Sequence, residues 1–148
     1  MSRLRVGSDE ITFQVTSEAT GGTLLAADVH IPAGGGPPGM HRHAPDELYR
    51  GEQGELAVYL EDDRGAVDRI VLTPGAVVHI PGGRAHTVRN ESAADARAYV
   101  VFSPGDTMER FVRAAAALSA GGPPSPEAVI ELAERHGVEF TGPVPAVA

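Results

Sequence analysis

Eighteen glycines and twelve prolines punctuate this 148-residue chain, and where they fall constrains the fold more than any other feature. Glycine reaches backbone conformations that other residues avoid and proline removes a ladder donor, so both collect in turns. Between them lie short stretches rich in valine, isoleucine and aromatics, at residues 11–15, 23–31, 56–60, 67–72, 76–80, 86–90 and 96–102. Each has the length of a strand rather than a helix. Many short strands with turn signals between them predict an all-β sandwich or barrel. Leu56, Val58 and Leu60 share one face while Ala57 and Tyr59 take the other, the alternation of a half-buried strand. Residues 32–39, with three glycines in a row and then two prolines, read as a loop. Asp62-Asp63-Arg64-Gly65 reads as a hairpin turn.

After residue 102 the texture changes. Ser103-Pro104-Gly105 ends the last strand, and Asp106 followed three residues later by Glu109 has the spacing of a helix N-cap. Met108, Phe111, Val112, Ala115 and Leu118 recur at helical intervals, predicting an apolar stripe laid on the barrel and ended by Gly121-Gly122-Pro123-Pro124. A second helix is expected over residues 126–136, with Ser125 as N-cap, Pro126 at its first position and Gly137 past its end. From Thr141 onward the chain reads as a frayed arm. The expected division is a barrel over residues 1–103 and a helical extension over 104–148.

Composition narrows the function. Twelve basic against twenty acidic residues, a net charge of −8 and no clustered Lys/Arg stripe give no footprint for nucleic acid or an anionic membrane. Cysteine is absent, so any metal must be held through nitrogen and oxygen. The start leads into the polar Gly7-Ser8-Asp9-Glu10 rather than an apolar stretch, and no apolar run approaches the ~18 residues of a membrane span. A cytoplasmic location is expected.

The chemistry-bearing residues form a two-part pattern. His41-x-His43-x3-Glu47 lies between Gly35 and Gly54, and Gly75, Pro81, Gly83, His86 and Asn90 follow as a second block. Residues two apart on a strand point to one face, so His41 and His43 can aim two imidazoles at one point, with Glu47 and His86 as third and fourth donors. Three imidazoles and a carboxylate suit one divalent transition metal: iron, manganese, nickel, cobalt, copper or zinc. Octahedral coordination would leave two positions for substrate. Pro81-Gly82-Gly83 makes the turn that returns His86 to the interior, and Asn90 reads as a strand-end hydrogen-bonding residue. His30, His79 and His136 lie outside the pattern and read as structural. Tyr49 and Gly51 share the inward parity of Glu47 if the strand stays regular. Gly51 would then widen the cavity beside the metal, making both residues candidates for a substrate pocket. A bulge that breaks the parity, with Tyr49 and Tyr59 as packing, stands equally open.

These two blocks match, position by position, the two signature motifs of the cupin superfamily, so the chain resembles a single-domain cupin. The resemblance implies a double-stranded β-helix, or jelly-roll barrel, carrying a short C-terminal helical tail. It also implies that His41, His43, Glu47 and His86 are metal ligands. The segment from Ser103-Pro104-Gly105 to Met108-Glu109-Arg110-Phe111 is similar to the tails of small bacterial cupins related to quercetin 2,3-dioxygenases. That similarity implies a dioxygenase acting on a small hydroxylated aromatic or enol-type substrate, with Glu47 both anchoring the metal and accepting the substrate's hydroxyl proton. A non-oxidative isomerase, cyclase or lyase, and a non-catalytic ligand-binding module, remain alternatives on sequence alone. A homodimer through a sheet edge or the tail is an ordinary expectation for such a barrel.

Overall fold

The computed structural model describes residues 3–146. Eleven strands run in chain order as β1 (Arg3–Val6), β2 (Asp9–Val15), β3 (Leu25–Ile31), β4 (Gly39–Arg42), β5 (Asp46–Gln53), β6 (Leu56–Glu61), β7 (Val67–Leu72), β8 (Val77–Ile80), β9 (His86–Arg89), β10 (Ala96–Ser103) and β11 (Glu139–Pro143). Two helices, α1 (Asp106–Ser119) and α2 (Pro126–Arg135), separate the last two strands. One sheet has the order β1-β2-β3-β10-β5-β8 and the other β11-β4-β9-β6-β7. Their inner faces meet in one apolar cluster, with Val29, Tyr49 and Val100 from the first sheet and Leu56, Val58 and Val88 from the second. This is a β-sandwich jelly roll with a C-terminal helical part.

Alternation places the core as expected, with one exception. In β5 every second residue from Glu47 to Gly51 is buried, and in β10 Ala96, Ala98, Val100 and Phe102 point inward. In β6 both faces are dry, because Ala57 and Tyr59 join Met40 and Ala85 in a second, smaller cluster behind the sheet. Residues 56–59 of that strand are therefore buried on both faces, while Leu60 and Glu61 are partly exposed. The hairpin at Asp62 forms as read: Asp62 N–H donates to Ala66 O and Gly65 N–H to Asp62 O.

Three strands escape the sequence pattern or correct it. β1 carries two arginines in four residues, yet Leu4 and Val6 pack against the core and Arg5 pairs with Glu10 across the ladder at 3.1 Å. β4 is only four residues long, so His41 lies in it and His43 just beyond. β11 overturns the frayed-arm expectation over residues 141–143, since Gly142 and Pro143 pair antiparallel with Met40 and Gly39 of β4. An edge strand tolerates proline at its end, and the register shift between Phe140 and Gly142 accommodates Thr141 as an extra residue. The last two positions of that expected arm, Val147 and Ala148, lie outside the described residues.

The helices follow their apolar spacing. Met108, Val112 and Ala115 are the buried face of α1, and α1 packs on β1 and β3. Its cap differs from expectation: Gly105 is the N-cap and Asp106 already lies inside the helix, with no side-chain cap. The Gly105 N–H is held by Gly22 O at 3.1 Å, which fixes the start one residue early. Glu109 is spent elsewhere, its Oε1 accepting from Ser17 N at 2.8 Å and Ser17 Oγ at 3.0 Å. α2 matches its signals, with Ser125 Oγ accepting from Ala128 N at 3.2 Å and Pro126 at the first turn.

Candidate metal centre

Two turns and three strands bring the donors together. His41 in β4 stands opposite His86 in β9 as register partners, while Glu47 points inward from β5 in the other sheet. The turn after β8 docks on the segment that follows β4: Gly83 N–H donates to His43 O at 2.7 Å and Gly82 N–H to Asp46 Oδ1 at 2.8 Å. Only glycine fits at position 82, because a Cβ there would sit 2.1 Å from Ala44 O. These contacts join the two halves of the sequence pattern.

The three imidazoles are held alike. His41 Nδ1 meets Gly39 O at 2.9 Å, His43 Nδ1 meets Pro45 O at 3.0 Å and His86 Nδ1 meets Arg84 O at 2.9 Å. A carbonyl only accepts, so each Nδ1 carries a proton, and each Nε2 offers a lone pair whenever its ring is neutral. Backbone carbonyls on the far nitrogen are the usual orienting partners of metal-binding histidines. Candidate ligand atoms of the three rings lie within 4.8 Å of one another. Phe102 and Phe140 wall the cluster, with ring centroids 6.1 Å from His43 and 5.8 Å from His41.

Glu47 adjoins two of the three rings. Its Oε2 lies 2.7 Å from His86 Nε2 and 3.4 Å from His43 Nε2, yet neither Glu47 Oε2 nor His86 Nε2 has a directed hydrogen-bond partner. Buried polar atoms are rarely left so. A buried carboxylate beside imidazole nitrogens at this range needs a positive partner, either a proton on His86 or a cation held jointly by the rings and the acid. The donor set, all nitrogen and oxygen, fits a first-row divalent metal.

The charges in the cluster respond to one another. Burial pushes the Glu47 carboxyl up, but the adjacent His43 and His86 outweigh it and hold the acid well below the usual carboxylate range. Burial, reinforced by His86, pulls His41 down to about 4, a neutral imidazole near neutral pH. Burial also pulls His86 down, but Glu47 more than reverses it and raises the ring above its ordinary value. Tyr49 is pushed well up by burial and by Glu47, so its phenol stays neutral.

The remaining candidates separate. Glu47, Tyr49 and Gly51 do share the inward face, and the irregularity against β10 falls just after Gly51, so the parity holds. Gly51 nevertheless opens no space: a Cβ there would lie 2.2 Å from Thr73 O, so the room its missing side chain leaves is filled by backbone. His30 pairs with Asp95 at 3.0 Å and His79 with Asp46 at 2.9 Å. His136 caps α2 with Nδ1 on Leu132 O at 2.9 Å. Asn90 donates to Ile31 O and Ala94 O and accepts from Ser92 N and Oγ. Phe140 is the neighbour of the cluster that the sequence pattern missed. Its only signal was alternation in a short Val-Glu-Phe-Thr run.

Among solved structures, the TT1209 protein of Thermus thermophilus is similar at 29% identity and a TM-score of 0.51, over 57% of this chain and 75% of that one. The oxalate decarboxylase of Lactobacillus farciminis is similar at 21% identity and a TM-score of 0.60, over 70% of this chain. This chain spans only 31% of that decarboxylase. A cupin-superfamily sugar phosphate isomerase from Silicibacter pomeroyi is similar at 23% identity and a TM-score of 0.52, over 64% of this chain and 59% of that one. The last two likenesses establish the fold alone. No curated protein matches the sequence. No helix among the described residues is long and apolar enough to cross a membrane. The family model for the cupin domain matches residues 27–102, the stretch that holds all three histidines and Glu47, and the chain belongs to that family.

Proposed function

We propose that this chain is a metal-dependent enzyme of small molecules, a dioxygenase acting on a hydroxylated aromatic or enol-type substrate. One observation carries the metal part of this reading: a buried Glu47 stands against His43 and His86 with no directed hydrogen-bond partner for Oε2. His41, His43 and His86 would hold the cation, with Glu47 beside it as fourth ligand. When bound, the metal supplies a Lewis acid and, where redox-active, the means to use dioxygen.

The chain itself does the rest. The carbonyls of Gly39, Pro45 and Arg84 fix the three rings so that no reorganisation is needed when substrate arrives. Glu47 accepts the proton of the substrate hydroxyl at Oε2, and the apolar walls of Phe102 and Phe140 keep water from competing. Tyr49 lies on the same inward face as a neutral phenol and backs the carboxylate.

Oxygen specificity rests on the tail's similarity to quercetin 2,3-dioxygenase-like cupins. A second reading, Lewis-acid chemistry without oxygen, is favoured by the decarboxylase and isomerase names among the fold's neighbours. Oxygen uptake on a flavonol and on smaller enols, with an anaerobic control and the metal content measured in parallel, separates the two. Glu47→Gln should abolish turnover by roughly a hundredfold or more while retaining most of the metal. Full activity in that variant, or turnover unchanged without oxygen, refutes the respective claim.

A further inference from the structure

The C-terminal segment builds a second feature next to the histidines. A groove of about 350 Å³ runs between α2 and the β4/β11 pair, lined by Pro38, Gly39, Val129, Ile130 and Phe140 among other apolar positions. No ionisable side chain lines it. α2 buries Leu132 and Ala133 on its barrel side, whereas Ile130 stays 44% exposed at the groove.

The groove adjoins the metal centre through two shared residues, Gly39 and Phe140. Gly39 contributes both to its floor and, through its carbonyl, to the orientation of His41. Phe140 lines the groove and sets its ring edge against the His41 imidazole at 5.8 Å. His41, the ring that Phe140 meets, is the least buried of the three histidines. The volume falls within the range of small-ligand pockets, ~300–1,000 Å³.

We propose that this groove takes the uncharged aromatic or alicyclic body of a substrate whose chelating oxygens sit at the histidine cluster, and that Phe140 limits its size. The inference rests on the metal-centre reading above and adds where the body of the substrate lies and what limits its size. The three prolines on its rim and lining, Pro38, Pro124 and Pro126, stiffen the groove and lower the ordering cost of binding.

The test compares two probes with one chelating head. Cobalt-loaded protein is titrated with acetohydroxamate and with 2-naphthohydroxamate. The naphthyl compound should bind roughly tenfold tighter or more. Val129→Asp should remove that advantage and leave acetohydroxamate unchanged, while Phe140→Ala should favour bulkier bodies. Ile130→Asp, at an exposed position, replaces the first variant if that one melts early. Equal affinities for the two probes, or a variant that weakens both alike, overturns the proposal. So does a variant that only converts a dimer to a monomer, which would make a second copy the occupant. If cobalt is not retained, the metal-centre reading fails on its own. Titration of the cobalt-free protein with 2-naphthol, read by NMR shifts at the Ile130 methyls, then decides the groove: saturable shifts there support it, and none refutes it.

Discussion

Gly82→Ala should damage the metal centre without touching a ligand. A Cβ at this position would lie 2.1 Å from Ala44 O and 2.9 Å from Asp46 Oδ1. Ordinary carbon–oxygen contact needs more than about 3 Å, so the turn must retreat from the His43 segment by about 1 Å. Retreat on that scale lengthens Gly83 N–His43 O from 2.7 Å and Gly82 N–Asp46 Oδ1 from 2.8 Å past the useful hydrogen-bond range. Two lost bonds and residual strain cost about 2–4 kcal/mol, a fall of roughly 5–15 °C in Tm. The same shift carries Arg84 O, and with it the His86 ring, away from His41 and His43, which should weaken metal binding roughly 10–100-fold. Thermal melts and competitive titration with a metal-sensitive dye measure both. Gly121→Ala is the control, because a Cβ there meets nothing within 4 Å. A Gly82→Ala protein that melts and binds metal like the wild type would refute the claimed coupling between this turn and the centre.

Other consequences are checked more simply. Asn90 is 1% exposed and ties β3, β9 and the loop to β10, so Asn90→Ala should cost about 2–4 kcal/mol in urea denaturation. Burial pushes the Asp9 carboxyl from 3.8 up to about 6, against the Gly36 N–H, Ser8 and Arg89. The folded chain therefore holds this proton more tightly than the unfolded one. Its contribution is full below pH 3.8 and lost as pH rises through about 6, worth about 3 kcal/mol. Asp9→Asn should flatten that slope in melts between about pH 4 and about pH 7.5.

Sequence pattern located most strands because their information is local: alternation along β5 and β10 and turn chemistry at Asp62 each act within a few residues. What it missed depends on distant partners. β1 and β11 are edge strands, held in place by pairing with β2 and β4 respectively. Arg3, Arg5, Gly142 and Pro143 give no strand signal of their own. The outer face of β6 is dry because Met40 and Ala85 reach it, a contact no window along β6 contains. Glu109 has cap spacing but finds Ser17 instead, 92 residues away in sequence. At the site, His41, His43, Glu47 and His86 were legible from spacing. The carbonyls behind them were not, since any residue type supplies a carbonyl, and Gly51 looked like space because spacing cannot show Thr73 behind it.

The division of labour at the cluster follows from its origins. His41 and His86 belong to one sheet, Glu47 to the other, and His43 to the link between them. Each ring is oriented by a carbonyl only two residues away in the chain, so ring direction is a local property of three short backbone segments. Their mutual distance is a property of sheet packing and of the Gly82–Gly83 dock. A cation bound here would bridge both sheets, and its binding energy would add to their cohesion, because a group that binds only the folded state stabilises it. Orientation is thus set before the metal arrives, while spacing is what the metal can reinforce. Variants that disturb a ring's carbonyl should therefore change the metal's affinity, whereas variants at the dock should change affinity and fold stability together.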